Sequence, residues 1–391
     1  MPEAPPALLA LIETGVSLAR RSSSGKLLFG RLHGVVHGDL LPARIREPVR
    51  RELEDGFRAT ATPVDAKTVE RTLKSAWRKP HGKLVEDLDP EPLSVSSTAV
   101  VHAASHDDRP VALKVLRPGV ATTVRSELAL LDILAAPIAA VFRALDVSGV
   151  LREIREAALD ELDLEHEGDQ QQRVRRALRR VDGVVVPEVV GELAGTEVLA
   201  TERLEGITLA AAVADDPEAI ARRLVEAHVV AWREAGLVMT DCRPSHVVQL
   251  ADGRTGLLGT GVARSVPRDR ATAGVSAFGA LADADPEAFV SAVSDGLGVL
   301  DEDTARAAHP LLREVLGPIV EGPARLDGPA LAEMTVRGLR RIGPLLAIGA
   351  KATPQPADLA ALRMLGQLAA TLSRLEVTED WPRLARGVVN A

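Results

Sequence analysis

Apolar positions follow two rhythms along this chain. Through roughly the first ninety residues the spacing is helical with interruptions; then "LDPEPLSVSSTAVVHAA" shifts to small and β-branched residues. Strands are predicted at Ser97–Ala104 and Val111–Leu116, joined by the polar turn "SHDDRP". Helical patterning returns at Val120–Leu145 and, strongly charged, at Gly149–Val181. The runs "GVVVPEVVGEL" and "TEVLATERLEG" read as short strands bounded by Gly and Pro. Pro217–Ala235 is predicted helical, "VVQL" and "TGLLGTGV" form strands around an "ADG" turn, and nearly all the remainder is helix. Strands and helices first, then a helical half, is an α+β pattern.

Composition narrows the function classes. A chain of 391 residues is long enough for two lobes. With no Tyr, five Phe and three Trp, the composition argues against a stacking platform for single-stranded nucleic acid. The net charge of −8 also argues against a nucleic-acid partner. Cys242 is the one cysteine, which rules out an internal disulfide and a cysteine-built zinc site. The N-terminus has an early Glu and no basic segment, so it does not read as a signal peptide. The apolar run Leu128–Phe142 is broken by Asp132 and Pro137 and is too short to span a bilayer. The expected location is cytoplasmic, or peripheral at a membrane.

Chemistry enters with "RPVALKVLRPGV", which sets Lys114 in a strand after a hairpin, the setting from which a lysine reaches the phosphates of ATP. A strand-edge lysine is the plainer alternative. The charged stretch "ELDLEHEGD" carries Glu161, Asp163 and Glu167, and Glu161 and Asp163 lie too close in sequence to share one helix face. Next come "PEVV" and "VLATERLEG", then "GLVMTDCRPSHVV" and "LLGTGVAR". In this order, from about Leu40 to the C-terminus, these motifs resemble the UbiB/AarF-type atypical kinase family.

That resemblance implies a two-lobed protein-kinase-like fold: an N-terminal helical extension over 1–89, a kinase-like N-lobe with inserted helices and hinge over 90–206, and a mostly helical C-lobe over 207–391. It implies ATP or ADP as ligand, with Lys114 as the nucleotide lysine, Glu161 as its ion-pair partner and Asp163 as the family's acidic companion. "PLSVSSTAVVHAA" matches the family's nucleotide loop, with Ser96 and Ser97 near the phosphates, and Thr201 to Leu204, including Glu202, would be the hinge. Asp241 falls on the catalytic aspartate of "MTDCRPSH".

Several family positions are changed. His246 stands where the magnesium-binding asparagine is expected, Gly259 where the magnesium-binding aspartate is expected, and Met239 and Arg243 replace two histidines. No metal ligand is assigned, and these losses count against magnesium. Arg243 adds a positive charge near the phosphates that can stand in for part of the metal's role. "DLLP" at Asp39–Pro42 is present, but the Lys and Gln of the family's covering motif are not at the expected spacing upstream.

An aminoglycoside-phosphotransferase-like small-molecule kinase is disfavoured by the same missing metal carboxylate, and two functions stay open. One is a pseudokinase acting as a nucleotide-binding or interaction scaffold with protein or lipid contacts, linked by resemblance to isoprenoid quinone or lipid metabolism. The other is an active atypical kinase or ATPase using Lys114, Glu161 and Asp241 with an unusual metal arrangement. Three further features stand apart from these motifs, the first a candidate two-histidine metal site. His33 and His37 are four apart but flanked by Gly34 and Gly38. Cys242 is a buried small residue or a thiol activated by Arg243. Leu359, Leu362, Leu365, Gly366, Ala369 and Leu372 are expected to form the packing face of the last C-lobe helix.

Overall fold

The computed structural model describes residues 61–390 apart from 63, 127, 130–151, 153, 154 and 157, together with residues 47, 50, 51 and 54. Most of the expected N-terminal extension, including His33, His37 and Asp39–Pro42, lies outside the described residues.

The N-lobe is an antiparallel sheet in the order β1 (Pro92–Val95), β2 (Ala99–His106), β3 (Arg109–Leu116) and β5 (Val198–Glu202). The β2–β3 hairpin turns on Asp107 and Asp108, both at positive φ (49° and 62°), the geometry that matches the right-handed strand twist. Such a turn needs only two residues, so β2 runs on to His106 and β3 begins at Arg109, beyond the strands read from sequence. Before the sheet, α1 (Ala66–Trp77) starts at Asp65, whose side chain accepts from the Thr68 amide. Its Val69 and Leu73 pack on Val100, Ala104, Val111, Leu113 and Val115. Trp77 ties the same helix across the lobe by donating to the Leu193 carbonyl at 2.9 Å.

The charged segment predicted as one helix over Gly149–Val181 is broken among its described residues. Residues 158–160 are helical, a turn follows at Glu161 and Leu162, and α2 (Leu164–Leu178) begins afresh. The break is local chemistry: the Asp163 carboxylate accepts from the His166 amide at 3.1 Å and caps the new helix. From Leu164 the buried positions recur as Glu167, Gly168, Gln171, Val174 and Leu178, one helical stripe facing the sheet.

The C-lobe is mostly helical around a smaller sheet, ordered β4 (Val184–Val185), β9 (Thr255–Leu257), β8 (Val247–Leu250), β6 (Gly206–Thr208). A two-stranded ribbon of β7 (Leu237–Met239) and β10 (Ala263–Ser265) lies beside it. Helix α3 (Pro217–Ala235) is capped by Asp216, opens on Pro217 and ends at Gly236 with φ +64°. It packs with α4 (Asp269–Ala282) and with the later helices α8 (Pro356–Leu372) and α9 (Trp381–Asn390), while α5 (Glu302–Leu316) packs on α4, α6 (Gly328–Arg340) and α7 (Ile342–Gly349). Leu224, Leu237, Leu257, Leu331, Leu372 and Trp381 share the main core of this lobe. No described helix is long and apolar enough to cross a membrane.

One expected packing face is corrected. Helix α8 is not the last, and its Leu362 and Leu365 are 63% and 53% exposed. The buried stripe is Ala360, Ala361, Met364, Gln367, Leu368, Thr371 and Leu372. On that stripe the Thr371 hydroxyl donates to the Cys242 carbonyl at 2.7 Å.

Candidate nucleotide site

Lys114 sits on β3 opposite Val101 of β2 and Leu199 of β5, on the sheet face turned toward α2. Its ammonium contacts both carboxylate oxygens of Glu167, at 2.7 and 2.6 Å. The expected partner was Glu161, and the structure replaces it with Glu167. Glu161 lies in the turn before α2, whereas Glu167 is one turn inside the helix on its buried stripe. The helical period from Leu164 through Gly168, Gln171, Val174 and Leu178 is the sequence signal that could have picked Glu167. With Glu167 only 7% and Lys114 26% exposed in their side chains, the pair is shielded enough to hold its geometry.

Gly261 supports this arrangement from the other lobe. A Cβ there would lie 2.3 Å from the Glu167 carbonyl oxygen, so only glycine lets the "GTG" turn pass this close beneath α2. Arg264, just beyond, is ion-paired with Asp160 on the far side of the Glu161 turn. Asp160, Glu161, Glu167, Thr240, Gly261 and Arg264 line one small cleft between the lobes.

Asp241 follows β7 and Thr240, whose amide and hydroxyl both bond the Val262 carbonyl. Arg243 turns back onto it: Nη2 donates to Oδ2 at 2.9 Å and Nε lies 2.7 Å from Oδ1. Burial pushes the Asp241 carboxyl up, but Arg243, His246 and Arg363 outweigh it and hold the group at about 2. Burial lowers the Arg243 guanidinium, yet Asp241 and Glu161 together raise it above its usual value. Glu161 therefore acts toward Arg243.

His246 completes the cluster. Its Nε2 lies 3.2 Å from Arg243 Nη2, and its Nδ1 lies 3.0 Å from the Asp241 carbonyl. A guanidinium can only donate, so Nε2 accepts and Nδ1 carries the proton that it donates to that carbonyl. Burial is the main cause that lowers this imidazole, helped by Arg243 and Lys114, so His246 is neutral at physiological pH.

The family model for the ABC1 atypical kinase-like domain matches residues 56–293. The chain belongs to this family. Similar curated proteins are named "Probable protein kinase UbiB": the one from Vibrio parahaemolyticus is 31% identical over 174 residues, covering 43% of this chain and 31% of the relative. Its counterpart from Vibrio cholerae is 30% identical over the same length. The chain thus spans about a third of the length of the curated relatives it matches. Among solved structures, Rv3197 of Mycobacterium tuberculosis in complex with erythromycin is similar over 98% of this chain and 97% of that one, with TM-score 0.67 and 21% identity, a likeness of fold.

Against this ABC1 kinase-like frame, the residues do not fit magnesium. Gly259 offers no ligand, with φ +66°, and a Cβ there would meet His246 Nδ1 at 2.5 Å. The Nδ1 of His246 donates, its Nε2 is taken by Arg243, and Arg243 also covers Asp241. Magnesium wants oxygen ligands in an octahedron, and a guanidinium stands on the carboxylate that remains.

The other sequence-predicted residues take structural parts. Ser96 closes the β1–β2 turn on itself: its amide donates to the Ala99 carbonyl and its hydroxyl accepts from the Thr98 and Ala99 amides. Ser97 lies in that same turn. The Glu202 amide donates to the Glu188 carbonyl and that of Arg203 to Pro110, while the Leu204 side chain lies over Gly256 in β9. Cys242 is buried; burial, then Asp241, push its thiol up to about 12, which excludes the activated-thiol reading.

Proposed function

We propose that this ABC1-family chain is a pseudokinase that holds an adenine nucleotide without magnesium and works as a nucleotide-binding or interaction scaffold. The observation that carries the reading is Arg243 on both oxygens of Asp241. A carboxylate held at about 2 and covered by a guanidinium is a poor acceptor for a hydroxyl proton. Lys114, positioned by Glu167, would meet the phosphates, and Ser96, Ser97, Glu202 and Leu204 would border the nucleotide. Arg243 would supply charge near the phosphates in place of the metal. A link to isoprenoid quinone or lipid metabolism rests on the family resemblance.

Thermal unfolding of the full chain with ATP or ADP, each with magnesium, with manganese and with EDTA, tests this. Stabilisation that survives EDTA and is lost in Lys114→Met is the expected result. Stabilisation that requires magnesium would overturn it and favour the active kinase or ATPase.

A further inference from the structure

On the face of the N-lobe sheet opposite Lys114 there is a cavity of about 290 Å³, bounded by α1, the segment 81–90 and β2. Lys114 pairs with Val101, and the next residue along β2, His102, points to the other side, toward α1. The cavity therefore lies behind the nucleotide cleft, separated from it by the sheet. Its size is at the small end of ligand pockets, about 300 Å³.

His102 is 1% exposed and lines this cavity. Its Nδ1 lies 2.8 Å from the Asp89 carbonyl, which can only accept, so Nδ1 carries the proton and Nε2 presents a lone pair. Among the described residues, that buried Nε2 has no hydrogen-bond partner. A buried acceptor of this kind calls for a donor. The segment that supplies the opposite wall is held along β2 by reciprocal amide–carbonyl bonds between Glu86 and Ser105 and by the Asp89 amide on the Ala103 carbonyl. It sets Glu86, Asp87 and Asp89 on the rim, with Glu70 facing them from α1. Among the described residues no lysine or arginine lines the cavity, and Val69, Val85 and Leu88 form its apolar part.

We propose that this cavity is a binding site for a small organic ammonium ion: an N–H donor for His102 Nε2, positive charge for the carboxylate rim, and a hydrocarbon body against Val69, Val85 and Leu88. The site is independent of the nucleotide reading, because the sheet stands between the two.

The test is ligand-observed NMR and calorimetry on the full chain with benzylamine, benzyl alcohol and benzoate, which share a ring and differ in charge. The expected result is millimolar or tighter binding of benzylamine, at least tenfold stronger than either neutral or anionic probe. His102→Phe keeps a ring and removes the acceptor, and it should weaken benzylamine at least fivefold. If that variant does not fold, Glu86→Gln with Asp87→Asn, both at exposed positions, should weaken it severalfold. Equal binding of the three probes, no benzylamine binding at millimolar concentration, or binding unchanged in the folded variants would overturn the proposal. Binding must also persist with saturating ADP; direct competition would place the amine in the other cleft and overturn it too.

Discussion

Gly259 and His246 share a space that holds only one side chain: a Cβ on residue 259 would sit 2.5 Å from His246 Nδ1. The residues at these two positions, where the resemblance leads one to expect metal ligands, are thus sterically coupled, and reversing one alone is not expected to rebuild a metal site. Gly259→Asp should destabilise the protein by about 1–3 kcal/mol, from the positive φ and the clash. It should leave nucleotide stabilisation indifferent to magnesium. Adding His246→Asn removes the clash and should recover part of that stability. Urea unfolding and thermal shifts with and without magnesium check both; a magnesium response from the single variant would mean that His246 yields its place freely.

The ion pair on Lys114 makes a second comparison. Glu167→Gln should lower nucleotide affinity and cost up to about 3 kcal/mol, since it strands a partly buried ammonium. Glu161→Gln leaves the Lys114–Glu167 pair in place and should lower affinity less. Side-by-side titration with ADP decides it, and a larger effect at Glu161 would return the ion-pair role to that residue.

Gly261 controls the same pair from beneath. Gly261→Ala puts a methyl 2.3 Å from the Glu167 carbonyl and should push α2 outward, at about 1–3 kcal/mol by overpacking. The expected signature is a loss of nucleotide stabilisation larger than the fall in unfolding temperature explains, read by thermal shift and ADP calorimetry together.

Acid stability should show two windows. His228 is buried, its Nδ1 bonded to the Leu224 carbonyl, and burial lowers it from 6.5 to about 4. The unfolded chain then binds more protons than the folded one between those values, so stability falls as pH drops through that window, by on the order of 3 kcal/mol. His246, also lowered, acts in the same sense. Asp241, lowered from 3.8 to about 2, contributes stability that is present above 3.8 and lost as pH falls through about 2. Urea unfolding across this pH range should show the first slope flattened in His228→Gln.

Arg243 can be tested by the second window. In Arg243→Met the main charge that lowers Asp241 is gone and burial acts unopposed by it, so acid sensitivity should begin at higher pH. The EDTA-resistant nucleotide stabilisation should disappear with it. Unchanged stabilisation would remove Arg243 from the phosphate site.

Much of the frame was legible because it is local. The β2–β3 hairpin is written in "SHDDRP", α3 between Asp216 and Gly236, and Lys114 and Asp241 fall on motifs in a fixed order. The charged stretch before α2 was misread as continuous helix because its break depends on one side chain, Asp163, turning back on the His166 amide. That one-residue decision sets where the helix starts, and hence which acid faces inward.

The sequence by itself determined that the kinase-like order of motifs is present and that residue 259 has no carboxylate to offer. The tertiary structure decided that Glu167 meets Lys114 across 53 residues, that Arg243 folds onto Asp241, and that His246 fills the space over Gly259. It also decided which way His102 points and that its Nε2 has no partner among the described residues. The reason is distance: composition and spacing fix what each segment can become, whereas an ion pair, a clash or a buried lone pair depends on side chains that only the packing of separate segments brings within a few ångströms.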